Sequence, residues 1–316
     1  MLKILEKKEL NNFLSEIMKK YELIAPTNNN ISKFEIIKSR KDIDKINIKQ
    51  ITKVPLKKHF LPDNETIMEY KKEKIIPARE VTKERAVFGL RLCDINALDI
   101  IDNIMADKLY LKKRVKTILI GIYCDKPDKY CFCNSMNLRD EGYDLFLYPQ
   151  KDYYLIKVNS NKGKELTKKL KSINKEINIF PKTKKQLREE NLERHYRNKI
   201  WESDANKCLS CSACTVYCPT CNCFDIKDKL YINLKDAKRN RTEISCQLKS
   251  FSRIAGDVIP RESRLSRFKH FVFHKIVYYK RKKGRYMCVG CGRCLRVCPT
   301  KIDWVKTINL LEEMKK

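Results

Sequence analysis

Near the C-terminus runs the stretch Cys288-Val-Gly-Cys291-Gly-Arg-Cys294-Leu-Arg-Val-Cys298-Pro299-Thr300. An earlier stretch, Cys208-Leu-Ser-Cys211-Ser-Ala-Cys214-Thr-Val-Tyr-Cys218-Pro219-Thr220, repeats its spacing. Each places cysteines at intervals of two, two and three residues before a proline, which is the bacterial-type iron–sulfur run. The first three thiolates of such a run lie on one tight loop and can each reach a different corner of an iron–sulfur cube. The fourth is carried away by the following chain, often to the other cube.

The repeated spacing therefore predicts two [4Fe–4S] clusters with crossed ligation. The ligands of one are Cys208, Cys211, Cys214 and Cys298, and those of the other are Cys288, Cys291, Cys294 and Cys218. Zinc sites, disulfides and buried apolar cysteines are the alternatives. Zinc usually takes two close pairs from separated ribbons, and not triplets with a trailing Cys-Pro.

The length of 316 residues suggests two domains, and the chain holds fifteen cysteines. No charged-then-apolar leader opens the sequence, and no apolar run approaches membrane-spanning length. We therefore expect a cytoplasmic protein without a membrane span, in a reducing compartment where the cysteines are metal ligands.

The formal net charge of +30 raises the question of an anionic partner. The lysines are spread along the chain, however, which favours a well-solvated surface. Residues 268–285 interleave aromatic and basic side chains, as a nucleic-acid surface would. A helix with one aromatic face on the cluster core explains the same pattern and is favoured. An iron–sulfur nucleic-acid-binding protein thus remains the alternative function, and no nucleic acid is expected.

The N-terminal half has the pattern of an α/β domain. Residues 86–92 and 115–123 are apolar and β-leaning, and residues 95–105 between them look helical. Such a strand–helix–strand unit predicts two parallel strands. A helix over residues 2–21, a strand over 34–37 and a hairpin of 144–148 with 153–158 are also predicted, and charged helices over 164–177 and 184–200.

A third group of cysteines follows these strands. Cys93 and Cys124 each come directly after a predicted strand, and Cys131 and Cys133 follow closely. Because the carboxyl ends of parallel strands share one edge of a sheet, these thiols could hold a third [4Fe–4S] cluster. The one-residue gap between Cys131 and Cys133 is unusual for cubane and zinc ligands, so buried thiols packed as small apolar groups are the alternative.

The sequence thus predicts an α/β N-terminal domain followed by a helical, ferredoxin-like two-[4Fe–4S] α+β domain with a long insert. We place the α/β domain and its possible third cluster at residues 1–163, a charged helical linker at 164–200 and the dicluster domain at 201–316. About seventy residues separate the two motifs, more than a compact two-cluster ferredoxin needs.

Further motifs carry a resemblance to a known family. They are Phe88-Gly-Leu-Arg-Leu-Cys93-Asp94-Ile-Asn-Ala97, Cys131-Phe-Cys133-Asn-Ser-Met136, and the run from Cys208 through Cys223-Phe-Asp225. Arg239-Asn-Arg241, Ser245-Cys246 and the stretch from Arg264 to Lys275 extend the match, which covers residues 86–305. The chain resembles the β subunit of archaeal and bacterial sulfhydrogenases and, equally, the corresponding iron–sulfur subunit of anaerobic sulfite reductase. Ser210 and Ser212 stand where the second motif has Gly290 and Gly292.

The resemblance implies an electron-transfer subunit of a multi-subunit oxidoreductase. Such a protein relays electrons between a flavin- and NAD(P)-binding subunit and a catalytic one, either a nickel–iron hydrogenase or a sirohaem sulfite reductase. The residues agree, because the sequence has no Gly-rich dinucleotide loop, phosphate-binding loop or nucleophile–base motif. We therefore expect no catalytic site in the chain itself. The roles of Cys221, Cys223 and Cys246 stay open, either as alternative ligands or as buried thiols.

Overall fold

A computed structural model of the chain describes residues 2–78, 83–177 and 180–314. Two compact units divide the described residues. The first comprises Met1–Leu56, Val81–Lys129 and Leu138–Thr183, and the second comprises Lys57–Glu80, Tyr130–Asn137 and Lys184–Lys316. The second unit thus takes two short segments out of the N-terminal half of the sequence.

The described residues form strands, α-helices and short 3₁₀ turns. The strands are β1 Leu2–Glu6, β2 Glu22–Thr27, β3 Lys33–Ile36, β4 Asn64–Lys71, β5 Lys74–Pro77, β6 Arg85–Leu90, β7 Thr117–Ile122, β8 Leu145–Pro149, β9 Tyr153–Val158, β10 Ser172–Ile173, β11 Phe224–Leu230 and β12 Ala237–Glu243. The α-helices are α1 Leu10–Lys20, α2 Arg40–Ile43, α3 Leu92–Asp102, α4 Lys108–Val115, α5 Asn161–Leu166, α6 Ile200–Lys207, α7 Ala213–Val216, α8 Arg264–Phe273, α9 Tyr279–Lys283, α10 Arg293–Val297 and α11 Trp304–Glu313. A π-helix spans His274–Tyr278, and 3₁₀ turns span Lys7–Glu9, Leu56–His59, Cys133–Met136, Leu192–His195, Lys249–Ser252 and Ala255–Asp257.

The first unit is built on a sheet of strand order β10-β1-β9-β8-β7-β6-β2-β3. Strands β2, β6, β7 and β8 run parallel in its centre, and every residue of β7 is buried. Continuous apolar strands are what a sheet covered on both faces requires. The predicted parallel pair, the helix between its strands and the hairpin of β8 with β9 are confirmed.

Two predictions of helices are wrong. Residues 2–6 form β1, which pairs antiparallel with β9, and only Leu10–Lys20 is α-helical at this end. The pairing partner lies about 150 residues away in sequence, so helical periodicity could not reveal it. In the predicted charged helices over residues 164–200, α5 ends at Leu166 and no further α-helix begins before Ile200 among the described residues. Charged segments without an apolar stripe have no face to bury and gain little from helix formation.

The second unit has an antiparallel sheet of order β11-β12-β4-β5. Strands β11 and β12 form a hairpin inside the insert between the two cysteine motifs, and β12 pairs with β4. The pair is supported by a buried ion pair between Arg241 and Glu65. The insert is therefore part of a sheet that the sequence did not predict.

The aromatic and basic stretch forms one continuous helical run of α8, the π-helix and α9. Phe268, Phe271 and Phe273 are buried, and Trp201 packs against Phe268 and Phe273 at ring-centroid distances of 6.4 and 5.7 Å. The predicted helix with an aromatic core face is thus confirmed. Among the described residues, no helix is long and apolar enough to span a bilayer.

Candidate iron–sulfur centres

The two cysteine motifs adopt the same backbone conformation. The second and fourth residues after the first cysteine of each motif have positive φ angles, 53° and 67° at Ser210 and Ser212 and 63° and 69° at Gly290 and Gly292. In each loop the amide of the residue two positions on donates to the first cysteine, from Ser210 to Cys208 Sγ and from Gly290 to Cys288 Sγ, both at 3.4 Å. A short helix follows in each case, α7 or α10.

Close packing against neighbouring backbone explains why the second motif has glycines at these two positions. A Cβ on Gly290 would lie 2.6 Å from Cys133 Cα, and one on Gly292 would lie 2.5 Å from the carbonyl oxygen of Tyr130. The Phe132 amide donates to the Gly290 carbonyl at 2.8 Å, which fixes residues 130–133 against this loop. The first motif has serine at both equivalent positions, so its loop has space for a Cβ where the second loop has none.

One cavity gathers the thiols of the first centre. Its walls include Cys208, Cys211, Cys214 and Cys298, and Cys294 of the second motif also borders it. The remaining walls are largely apolar, with Phe268, Phe271, Ile302 and Trp304 among them. Cysteine thiols around an apolar cavity, with backbone amides directed at sulfur, fit a [4Fe–4S] group.

The cysteines of the second centre are buried or half-buried. Burial raises the pKa of Cys288 to about 12, and the neighbouring Cys218 and Cys291 add to this effect. Burial and the thiolates of Cys288, Cys291 and Cys218 likewise raise the pKa of Cys294. Cys218 thus lies in the electrostatic neighbourhood of the second motif, and it also raises the pKa of Cys214 in the first. Buried thiols that resist ionisation are stabilised as thiolates when metal binds.

A buried lysine ammonium contacts the sulfur of Cys218. The ammonium of Lys275, a residue of the π-helix that is 3% exposed, lies 3.2 Å from Cys218 Sγ and 3.1 Å from Thr220 Oγ1. Burial works to lower the pKa of Lys275, but the thiolates of Cys218, Cys221 and Cys288 outweigh it and hold that pKa well above its usual value. A hydrogen bond from the Cys221 thiol, together with Lys275, lowers the pKa of Cys218.

The four N-terminal cysteines belong to different units. Cys93 lies in the first turn of α3 after β6, and Cys124 follows β7, so both stand at the carboxyl ends of neighbouring parallel strands of the first unit. Cys131 and Cys133 are in the second unit, and the Cys131 thiol donates to the Cys291 carbonyl at 3.6 Å. The third cluster on these residues stays a prediction.

The interior of the second unit also contains a buried lysine that the sequence did not mark as functional. Lys57, 2% exposed, donates to the Cys221 carbonyl at 2.7 Å and pairs with Glu243 at 3.0 Å. No local motif marks Lys57, because its contacts lie about 160 residues further along the chain. Across the described residues, no three His, Cys, Asp or Glu side chains are grouped to hold a single metal ion. Thiols spread around a cavity suit a multinuclear cluster instead, since each thiolate binds a different iron.

Comparison with known proteins agrees with this site. Residues 207–302 match the family described as a 4Fe-4S dicluster domain. The β subunit of sulfhydrogenase 2 from Pyrococcus furiosus is 30% identical over 329 aligned positions, which cover 96% of each chain. No solved structure matches. The resemblance noted from the motifs is therefore confirmed: this chain belongs to the family of sulfhydrogenase β subunits and carries an iron–sulfur dicluster domain.

Proposed function

We propose that the chain is the electron-relay subunit of a multi-subunit oxidoreductase. It would pass electrons between a flavin- and NAD(P)-binding subunit and a catalytic subunit, either a hydrogenase or a sulfite or sulfur reductase. The observation that carries the proposal is the cavity where Cys208, Cys211 and Cys214 of the first motif meet Cys294 and Cys298 of the second. A ligand from each motif at the other's centre would fix two centres close together, as a relay requires.

Two [4Fe–4S] groups would each supply one-electron redox chemistry. Cys208, Cys211, Cys214 and Cys298 would hold the first and Cys288, Cys291, Cys294 and Cys218 the second. The apolar walls formed by Phe268, Phe271 and Trp304 would exclude water from the first centre. Lys275 and Thr220 would stabilise the thiolate of Cys218. In this proposal the partners bind the substrate and any flavin, and the complex works in the cytoplasm.

The relative from P. furiosus is named as a subunit of a sulfhydrogenase, which supports a hydrogenase-type partner. A nucleic-acid role finds less support, because Phe268, Phe271 and Phe273 are buried and cannot stack on bases.

The test is anaerobic purification of the native complex through a tag on this chain. We expect a flavin- or nicotinamide-binding protein and a hydrogenase or reductase subunit to copurify. Addition of either NADPH or hydrogen should then produce the electron paramagnetic resonance signals of reduced clusters in this chain. A complex that lacks such partners, or whose centres stay oxidised with both donors, contradicts the proposal.

A further inference from the structure

Three cysteines of the second unit lie outside the eight proposed ligands. Cys221 and Cys223 precede β11, and Cys246 follows β12. The antiparallel pairing of Phe224 with Glu243 brings the two ends of this hairpin together, and the Ile244 amide donates to the Cys223 carbonyl at 3.2 Å. The hairpin thus places all three thiols at one end of the small sheet.

Cys223 and Cys246 form a hydrogen-bonded pair. The thiol and the backbone amide of Cys246 both donate to Cys223 Sγ. The bond from the Cys246 thiol lowers the pKa of Cys223 to about 7 against the opposing effect of burial, and Lys275 and Lys57 contribute to the lowering. Donation to Cys223 and burial raise the pKa of Cys246. A thiolate beside a protonated partner thiol is the arrangement of a redox-active dithiol.

Cys223 faces an accessible cavity. A small cleft, open to solvent, is lined by Cys221, Cys223, Lys57, Arg241 and Glu243, among others. Cys223 is partly exposed, whereas Cys246 is only 5% exposed. A small molecule that approaches from solvent would therefore meet Cys223 first.

The pair lies between ligands of both proposed centres. On one side the amide of Gln247 bridges it to the first centre, since its nitrogen lies 3.9 Å from Cys246 Sγ and its oxygen 3.9 Å from Cys208 Sγ. On the other side the Cys221 thiol donates to Cys218 Sγ, a ligand of the second centre. Two one-electron centres thus flank a group that exchanges two electrons.

From this geometry we propose that Cys223 and Cys246 are a redox-active dithiol that reduces a low-molecular-weight disulfide able to reach the partly exposed Cys223. The proposal rests on the proposed function, because the two centres supply the electrons. It gives the chain a chemical site of its own in addition to its role as a relay.

The chemistry balances as thiol–disulfide exchange. The Cys223 thiolate attacks one sulfur of the substrate, the substrate's sulfur–sulfur bond breaks, and the first substrate thiolate leaves. Cys246 gives up its proton and attacks Cys223 Sγ in the mixed disulfide, which releases the second thiolate. The Cys223–Cys246 disulfide then takes up one electron from each centre and one proton. The net reaction consumes one disulfide, two electrons and two protons and forms two thiols.

The test is an anaerobic titration of the purified, dithionite-reduced chain with cystine after removal of excess reductant. The first equivalent should release cysteine and abolish the resonance signals of both centres while the dithiol stays reduced. The second equivalent should convert Cys223 and Cys246 to a disulfide that peptide mass mapping detects. Signals that persist through both equivalents overturn the proposal.

Two variants separate the steps. Cys223→Ser should keep its iron and keep its resonance signals on addition of cystine. Cys246→Ala should stop at the mixed disulfide and carry one bound cysteine on Cys223. Lys229→Ala, on the exposed part of β11, is the matched control and should behave like the unaltered chain.

Three outcomes contradict the assignment in different ways. Loss of iron from Cys223→Ser would make Cys223 a cluster ligand. Signals that vanish with cystine as fast in Cys223→Ser as in the unaltered chain would place the reaction elsewhere. A chain with no reducible centres would sink the proposed function itself, whereas centres that reduce and then ignore cystine would sink only the dithiol.

Discussion

Lys275 Nζ lies 3.2 Å from Cys218 Sγ, inside a region where the lysine side chain is 3% exposed. The equivalent cysteine of the second motif is Cys298, and among the described residues only uncharged groups are seen to contact its sulfur. Thr300 Oγ1 lies 3.5 Å and the Ile302 amide nitrogen 3.4 Å from Cys298 Sγ. Hydrogen bonds and positive charge at a cluster thiolate favour the reduced, more negative cluster. The two centres should therefore differ in reduction potential.

Lys275→Met should lower the reduction potential of the centre that Cys218 ligates, because it removes the charged donor. Potentiometric titration followed by electron paramagnetic resonance measures the change, and the other centre should move less. The control is Lys283→Met, an exposed lysine of the same helical run. Equal shifts of both centres, or none, would contradict a specific effect on Cys218. Thr220→Val, which removes the neutral donor at 3.2 Å, should give a smaller shift in the same direction.

Crossed ligation predicts opposite effects for two otherwise equivalent cysteines. Cys298→Ser should disturb the centre held by Cys208, Cys211 and Cys214, since Cys298 lines that cavity. Cys218→Ser should disturb the centre of the second motif instead. The electron paramagnetic resonance spectra of the two variants distinguish crossed from uncrossed ligation, because the two reduced centres have different protein surroundings and so different signals. If each serine altered the centre of its own motif, ligation would be uncrossed.

The loops of the two motifs should respond differently to exchange of serine and glycine. Gly290→Ser places a Cβ 2.6 Å from the backbone of Cys133 at a φ of +63°, so the loop or its neighbour must shift. We expect a loss of about 2 kcal/mol or more in unfolding free energy, from the left-handed backbone and the clash together. Ser210→Gly should be neutral or stabilise by up to about 1 kcal/mol, because it relieves the same backbone conformation. Thermal unfolding under anaerobic conditions compares the two variants, and equal effects would refute the packing argument.

Local spacing in the sequence was sufficient to predict the cluster motifs and the β6–α3–β7 unit. A cysteine run and an apolar strand each carry their signal within about a dozen residues. The contacts of Lys57 with Cys221, of Lys275 with Cys218 and of β4 with β12 join segments that are 57 to 178 residues apart. Such contacts depend on how the second unit packs, and no periodicity along the chain reports them. The same limit explains why the role of Cys246 stayed open in the sequence.

The stacked imidazoles of His270 and His274, with ring centroids 5.4 Å apart, should make stability depend on pH. Burial lowers the pKa of each to about 4, and Arg261 and Lys275 add to the effect. The unfolded chain therefore binds more protons between about pH 6.5 and 4, and stability falls as pH falls through this range. The pair should account for up to about 2 kcal/mol after allowance for partial exposure. The His270→Gln, His274→Gln double variant should lose stability less steeply in urea unfolding over this range, while an unchanged slope would contradict the assignment.

Iron content decides whether Cys93, Cys124, Cys131 and Cys133 hold a third centre. Three [4Fe–4S] groups require about twelve irons per anaerobically purified chain, and the two crossed centres alone require about eight. We expect about twelve, and about eight in the Cys93→Ser, Cys124→Ser double variant, because a cubane that lacks two thiolates is not retained. Cys246→Ser is the matched control, since a dithiol residue that binds no iron should leave the content unchanged. An unaltered chain with eight irons, or a double variant with the full complement, would leave Cys93 and Cys124 as thiols that bind no iron at the ends of β6 and β7, the first buried and the second half-buried.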